Sequence, residues 1–458
     1  MKIGLLAMSG LRAHDPELIK LGLTLPGVIE RGRVVTSMPC LGLLILAAVT
    51  PDEHELAYFE AEHANDLSSG LFRCDLIAMS ALTAQAFEAY QVAATLRNRG
   101  IVVVLGGLHA SVCPDEAAEH VDYVVVGEGE QVWPELLKQI PLRSPKKIWR
   151  ASEFPPVSLT HSPLPRYDLL KNGNWNRFPV QTTRGCPWRC DFCASSIMLG
   201  RPYRKRPVEE IIRDIRFIKS LCGPVNSQAK AYERAEQSTG HSPFIKQRPF
   251  IELADDNTFV DHRWGRKLCE ALIEEPIKWF TETDISVADD AKLLKLLRQS
   301  RCRQLLIGLE STTASELVGV ELNSNFKYRR AHDYMDAVRR IQAEGVTVNG
   351  CFVLGLDHQG PDIFERIFDF AMSVPLYEVQ VTVMTPFPGT PLYQRLLDED
   401  RIIEPGRWDL CTLFDVNYYP AKMSVAELKN GLYWLVKRLY SSENIWARRS
   451  AFFKNLSG

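Results

Sequence analysis

Three cysteines in this chain stand apart by their spacing. In Thr182-Thr183-Arg184-Gly185-Cys186-Pro187-Trp188-Arg189-Cys190-Asp191-Phe192-Cys193 they share one short loop behind a segment that reads as a strand. Three thiolates can hold three irons of a cubane cluster and leave the fourth open to an external ligand. A fully ligated electron carrier needs a fourth thiolate, and Cys222 lies beyond a whole predicted helix. A zinc knuckle is the other use of such a loop, and it wants a further Cys or His close by.

The remaining cysteines, Cys40, Cys74, Cys113, Cys222, Cys269, Cys302, Cys351 and Cys411, are scattered singly in apolar or helical contexts, where free cysteine behaves as a small hydrophobe. Eleven cysteines behind a start without an export signal read as reduced thiols in a cytoplasmic protein. The 458 residues carry 54 Lys+Arg against 56 Asp+Glu, a net charge of -2, so no global field draws a phosphate backbone and nucleic acid is not expected as a partner.

The elements that must position the triad fall into an α/β pattern. Strand and helix signals alternate over the first 130 residues: strands at 2–8, 55–61, 76–80, 101–105 and 123–127, helices at 42–49 and 84–99. This is a doubly wound, Rossmann-like sheet, and its strands end in Ser80, Gly106-Gly107 and Gly127-Glu128-Gly129-Glu130, where such sheets bind ligands. A domain over 1–140 is followed by a Pro-, Ser- and Arg-rich linker at 141–178. A second βα series over 179–395 has six strands, near 179–183, 250–253, 279–283, 305–309, 346–354 and 379–384, a partial (β/α)6 barrel of the TIM type. Helices are expected at 207–221, 289–300 and 328–344, an insertion at about 222–248, and a C-terminal helical cap over 396–458.

The triad at the end of a first barrel strand resembles the radical S-adenosylmethionine (SAM) superfamily, and the N-terminal sheet makes the whole chain similar to its cobalamin-dependent branch. The resemblance implies a 4Fe-4S cluster on Cys186, Cys190 and Cys193, SAM chelated to the open iron, and Phe192 packed beside them. It further implies SAM contacts from Glu252 and Asp255 after the second barrel strand, Glu282 after the third, and Gly308 and Glu310 at the fourth. Asp256 and Asp284 taken alone read as a helix cap or a solvated charge. Thr385 to Tyr393 looks like a loop of that branch, and Ser37 to Leu44, Ser80, Gly106, Gly107, His109, Gly127, Glu128 and Gly129 look like its cobalamin-site landmarks.

One departure is informative: the D-x-H-x-x-G signature that supplies a histidine to cobalt is absent, since His14 lacks the flanking Asp and Gly and His54 precedes its strand. His109 either lines the nucleotide tail or is a satisfied loop residue. The chemistry implied is reductive SAM cleavage to a 5′-deoxyadenosyl radical acting on an unactivated carbon, with methyl transfer from cobalamin. A cyclase or oxidoreductase without methyl transfer, with or without cobalamin, uses the same parts, and a non-catalytic cobalamin or metal sensor is the reading from another class. Expected partners are a small-molecule or lipid substrate and an electron donor of the flavodoxin or ferredoxin type.

Two further segments invite ligands. Glu427 to Lys454 mixes aromatics with Lys437, Arg438, Arg448 and Arg449, which suits packing on the barrel and, less readily, a membrane surface. Arg201-Pro202-Tyr203-Arg204-Lys205-Arg206 reads as a solvated basic loop, with an anion grip as its alternative.

Overall fold

A computed structural model describes residues 1–10, 13–20, 38–170, 175, 177–195, 202–222 and 249–457. Most of the expected insertion, together with Ser37 and Arg201, lies outside the described residues. The N-terminal sheet contains β1 (Lys2–Met8), β2 (Glu55–Ala61), β3 (Leu76–Ser80), β4 (Val102–Gly106), β5 (Tyr123–Val126) and β6 (Ile148–Arg150), all parallel in the order β2-β1-β3-β4-β5-β6. β6 lies within the stretch expected as a linker. The strands read as near-continuous apolar runs because both faces are covered. Leu6, Met8, Ile77, Met79, Val103 and Leu105 pack under α2 (Ala86–Arg97), whereas Ile3, Leu5, Ala7, Leu76, Ala78 and Val104 pack under α1 (Leu41–Ala48) and α3 (Val132–Gln139).

The second sheet is the open barrel: β7 (Arg177–Val180), β10 (Phe250–Leu253), β11 (Lys278–Thr283), β12 (Cys302–Glu310), β13 (Thr347–Leu354) and β14 (Glu378–Val383), parallel throughout in that order. A two-stranded antiparallel ribbon, β8 (Thr183–Arg184) with β9 (Arg204–Lys205), grows from the end of β7. Between the strands run α4 (Val208–Leu221), α5 (His262–Ile273), α6 (Ala291–Gln299), α7 (Tyr334–Ala343) and α8 (Ile363–Ser373). The helix expected over 328–344 is broken: Phe326–Arg330 forms a separate turn of helix behind Asn325, whose φ is +50°, and α7 begins only at Tyr334. That break carries Lys327 into the barrel mouth, as described below.

The chain ends in α9 (Val425–Leu439) and α10 (Ser442–Ser457). Ser424 and Glu427 form a capping box at the start of α9. α10 packs through buried Phe452 and Arg448, whose guanidinium donates to the carbonyls of Leu376 and Leu439. Trp446, on the same helix, is 70% exposed. Among the described residues no helix is long and apolar enough to cross a membrane.

The tightest helix contact in the cap is at Gly431, where an added Cβ would overlap the Phe364 ring of α8. Alanine is favoured over glycine by roughly 1 kcal/mol inside a helix, but overpacking costs about 1–3 kcal/mol, so the clash decides the sign. Gly431→Ala should lower the melting temperature, and Gly431→Ala with Phe364→Leu should recover part of the loss. A melting temperature raised by Gly431→Ala alone would contradict this packing.

Candidate active site

The cysteine loop, from Gly185 to Cys193, is neither helix nor continuous strand, and its shape is imposed from outside. Asp255, at the exit of β10, accepts hydrogen bonds from the backbone N–H groups of Thr182 (2.7 Å) and Thr183 (2.8 Å) and from the hydroxyls of Thr182 and Thr258. Gly185 takes a φ of +86°, open to glycine, and its N–H donates to Asp256 at 3.2 Å. On the far side the crossover after β12 clasps the loop. Arg189 makes two bonds with it: Leu322 N–H donates to the Arg189 carbonyl at 2.8 Å, and Arg189 N–H donates to the Glu321 carboxylate at 3.0 Å.

Glu321 organises that clasp. Its side chain, in a residue 1% exposed, also accepts from the N–H groups of Asn323, Ser324 and Phe326 and from the Ser324 hydroxyl. Burial opposes its charge, but the hydrogen bonds win and hold the carboxyl down at about 2. Trp188 stacks on Phe326 with ring centroids 4.2 Å apart and donates its indole N–H to Asp284 at 2.9 Å. Asn257 donates to Asp284 at 2.8 Å and lies 4.0 Å from the Cys186 sulfur.

Cys186, Cys190, Phe192 and Cys193 line a cavity of about 500 Å³ over the carboxyl ends of the barrel strands. Burial pushes the Cys186 thiol up to about 11 and raises Cys190 as well, so both sulfurs are neutral in the absence of metal. Among the described residues the donor groups that gather within 4.8 Å of one another are those of His109, Cys113 and Glu116; the triad is wider. A single zinc ion with bonds of about 2.3 Å would need its sulfurs closer than that, whereas a cubane spaces its three thiolates more widely.

Glu252, Glu282, Gly308 and Glu310 line the same cavity, as expected from their strand ends. Glu252 is paired there with Arg177 at 2.7 Å. A bulge between Gly308 and Glu310, with φ of +63° at Glu310, turns the Glu310 carboxylate inward. Lys327 meets it at 2.6 Å and donates to the Gly308 carbonyl at 2.9 Å; a Cβ on Gly308 would strike both. Burial works against the Lys327 charge, but Glu310 and Cys190 keep its pKa above the ordinary lysine value. Asp255 is a correction: its oxygens are taken up by Thr182, Thr183 and Thr258, it does not line the cavity, and it shapes the loop. Asp256 faces the cavity in its place.

A second cavity, of about 380 Å³, lies at the carboxyl ends of β3, β4 and β5 and is lined by Cys40, Ser80, Gly106, Gly107, Gly127, Glu128 and Gly129. Gly107 has φ of +96°, and a Cβ there would come within 3.0 Å of the Ala81 carbonyl and 3.1 Å of the Ser80 hydroxyl. Gly127, at φ of +83°, donates its N–H to the Ser111 hydroxyl at 2.9 Å. The result is a glycine-lined cradle outside the carboxyl ends of adjacent parallel strands, open to a large planar group. His109 is a second correction: it is fully buried away from this cavity, with Nε2 2.7 Å from the Tyr90 hydroxyl, beside a Glu116 that accepts from Trp408. It packs on the sheet's underside, with Nε2 bonded and Nδ1 buried without a hydrogen-bond partner.

Two arginines of the basic loop, Arg204 and Arg206, are not solvated, whereas Lys205 is exposed. Arg206 is buried on Asp214 at 2.8 Å and donates to the Gln181 carbonyl, Lys205 pairs with Asp261, and Arg204 pairs with Glu128. Two residues of the active cavity carried no signal of their own in the sequence. Trp188 and Lys327 are placed by partners distant in the chain, and Lys327 depends on the break in its helix.

A B12-binding domain model matches residues 29–137, and a model described as a domain of unknown function (DUF4070) matches residues 390–458. Bacteriochlorophyllide d C-12(1)-methyltransferase of Chlorobaculum tepidum is 23% identical over 92% of this chain and 86% of its own length. Bacteriochlorophyllide d C-8(2)-methyltransferase of the same organism is 27% identical over 77% of this chain and 75% of its own. The radical S-adenosylmethionine methyltransferase TsrM of Kitasatospora setae, solved with tryptophan and a SAM analogue, superposes with a TM-score of 0.63 at 15% identity, covering 87% of this chain and 76% of that one. That likeness is one of fold, and it embraces both sheets.

Glu282 is the titratable group most exposed to test. Burial, then the charges of Glu252, Asp256 and Asp255, raise it from 4.5 to about 8. Between those values the folded chain keeps a proton that the unfolded chain has released, so stability falls as pH rises through that window. Glu282→Gln removes the loss. The cofactor-free variant should melt near wild type at pH 5 and about 2–4 °C higher at pH 9. Equal differences at both pH values would refute the raised value.

Proposed function

Because this chain belongs to the cobalamin-dependent radical SAM enzymes, we propose that it methylates an unactivated carbon of an apolar small molecule. The observation that carries this reading is one wall shared by two cavities. Cys186 lines the barrel cavity, and Arg184 and Gln181, on the same short segment, line the glycine cradle of the cobalamin-binding domain. A reactive carbon in the barrel mouth thus lies between the thiol loop and that cradle.

The residues present fit the groups the reaction needs. When bound, a three-thiolate 4Fe-4S cluster with SAM supplies a hydrogen-abstracting radical and methylcobalamin supplies the methyl group. Cys186, Cys190 and Cys193 would hold the cluster, and the cradle from Gly106 to Gly129 would hold cobalamin. Lys327 offers a donor for the SAM carboxylate; Asp256, Glu282 and Glu310 offer acceptors for its ammonium and ribose. A protonated Glu282 is also a donor at neutral pH, which a charged carboxylate is not.

Much of the remaining cavity wall is apolar. Phe280, Leu306, Val353, Val383, Phe387 and Leu413 face the space beside the cysteines, interrupted by Thr283, Gln380, Thr382 and Thr385. The apolar side chains exclude water from the reacting carbon, and the few polar ones would orient an acceptor that is mostly hydrocarbon. An acceptor with an extended hydrocarbon or macrocyclic skeleton is the class this wall suits. The methyl-transfer outcome is favoured over ring closure because the two C. tepidum relatives are both named methyltransferases.

The test is anaerobic reconstitution with iron, sulfide and hydroxocobalamin, followed by strong reductant and methyl-labelled SAM. Label should appear on cobalamin, 5′-deoxyadenosine should form, and Cys190→Ala should lower deoxyadenosine formation by about three orders of magnitude or more, the loss expected when an essential group is removed. Deoxyadenosine that survives Cys190→Ala, or cobalamin that never takes up label, would rule the proposal out.

A further inference from the structure

We infer that Arg184 is a positioning residue that couples the cobalamin cradle to the cysteine loop, so that filling either site tightens the other. The inference rests on the cofactor assignment above. Its basis is the set of bonds that one guanidinium makes across the two sheets. Arg184 Nη1 donates to Glu128 at 2.9 Å and Nη2 donates to Glu130 at 2.7 Å. Its remaining donors go to the Gln181 side chain, from Nε at 3.1 Å and Nη2 at 2.8 Å. Arg204, opposite Arg184 in the β8–β9 ribbon, pairs with the same Glu128. Two cations and two carboxylates form a balanced quartet.

Three members of the quartet are withdrawn from water, and the fourth, Arg204, is half-buried. The side chains of Arg184, Glu128 and Glu130 are 6%, 14% and 12% exposed. Removing one partner from a buried pair strands the others uncompensated, so the two loops cannot part cheaply. A surface pair would carry no such constraint.

The position of Arg184 in the chain turns this tie into a coupling. It lies two residues before Cys186, across Gly185 with its positive φ. Glu128 and Glu130 alternate with Gly127 and Gly129, whose backbone lines the cradle. Ligation of a cluster by Cys186 fixes the segment that carries Arg184. A fixed guanidinium in turn fixes the carboxylates and the glycines between them, so a corrinoid meets a loop already ordered. Without the cluster, binding must order that loop and the thiol segment together. Reciprocity then requires that cobalamin favour cluster assembly by the same factor.

The experiment measures hydroxocobalamin affinity by absorbance titration of the full chain in two states, iron-free and cluster-reconstituted, and takes the ratio of the two dissociation constants. For wild type the iron-free value should exceed the reconstituted one by about fivefold or more, the lower end of ordinary site–site couplings. In Arg184→Met and in Glu128→Gln/Glu130→Gln the ratio should fall to one, and adding Arg184→Met to the carboxamide pair should change nothing further. Arg184→Lys, which keeps the charge but cannot span both carboxylates, should give an intermediate ratio. A merely structural arginine would shift both constants and leave the ratio intact, and that result overturns the inference. The same holds for a wild-type ratio of one. Wild type that binds no cobalamin in either state would instead remove the cofactor assignment on which the inference stands. Should Arg184→Met not fold, the carboxamide pair and Arg184→Lys, which leave the barrel core untouched, decide the question.

Discussion

A loop that must present three sulfurs in fixed directions cannot also be a regular element, and every other feature of the barrel mouth answers to that constraint. The loop from Gly185 to Cys193 has few bonds within itself, so three carboxylates from two other segments supply them. Asp255 ties its entry, Asp256 its glycine, and Glu321 its middle. Each of the three accepts backbone N–H groups that would otherwise be left unsatisfied beside an apolar cavity. Acidic residues therefore crowd this end of the barrel in two roles: Asp255 and Glu321 are spent on the loop, while Glu252, Asp256, Glu282 and Glu310 line the cavity.

This also explains which parts of the site were legible in the sequence. The strands were, because period and apolar content mark them, and because their ends in Ser80, Gly106-Gly107 and Gly308 fall where a parallel sheet binds ligands. The triad was legible from its spacing alone. Asp255 and Asp256 were not separable: adjacent residues in one turn point in opposite directions, and nothing local tells which will find the threonines. Glu321, 132 residues from the Arg189 amide it receives, and Arg184, 56 residues from Glu128, act through partners that only the tertiary fold brings near. The basic loop misled for the same reason, since Arg204 and Arg206 look solvated until Glu128 and Asp214 are placed against them.

The segment beyond the barrel joins the two sheets from the other side. Leu392 N–H donates to the carbonyl of Asp191, inside the cysteine loop, and Arg395 lies 3.5 Å from the Asp191 carboxylate. A few residues later Trp408 and Cys411 enter the core under the N-terminal sheet, where Trp408 donates to Glu116. His109 belongs to that contact. What looked like a cofactor-facing histidine is part of the seam that holds the end of the chain against the first domain, and the same seam carries the exit of β14 past the thiols.

The electrostatics of the cavity follow from how few cations enter it. Arg177 and Lys327 meet Glu252 and Glu310 one to one, while among the described residues no ion pair reaches Glu282, and Asp256 is held by the Ser195 hydroxyl, the Gly185 amide and the charge of Arg184. A buried surplus of carboxylates is relieved in two ways: by protonation, as at Glu282, or by a ligand that brings positive charge. SAM carries an ammonium and a sulfonium, and a cavity short of cations on its sugar-facing side and furnished with Lys327 on the other is polarised to match such a molecule. The thiol loop sits at the Lys327 end of that gradient, where thiolates would gain from the neighbouring ammonium. On the function proposed above, that polarity would turn the carboxylate of SAM toward Lys327 and its ribose toward Glu282.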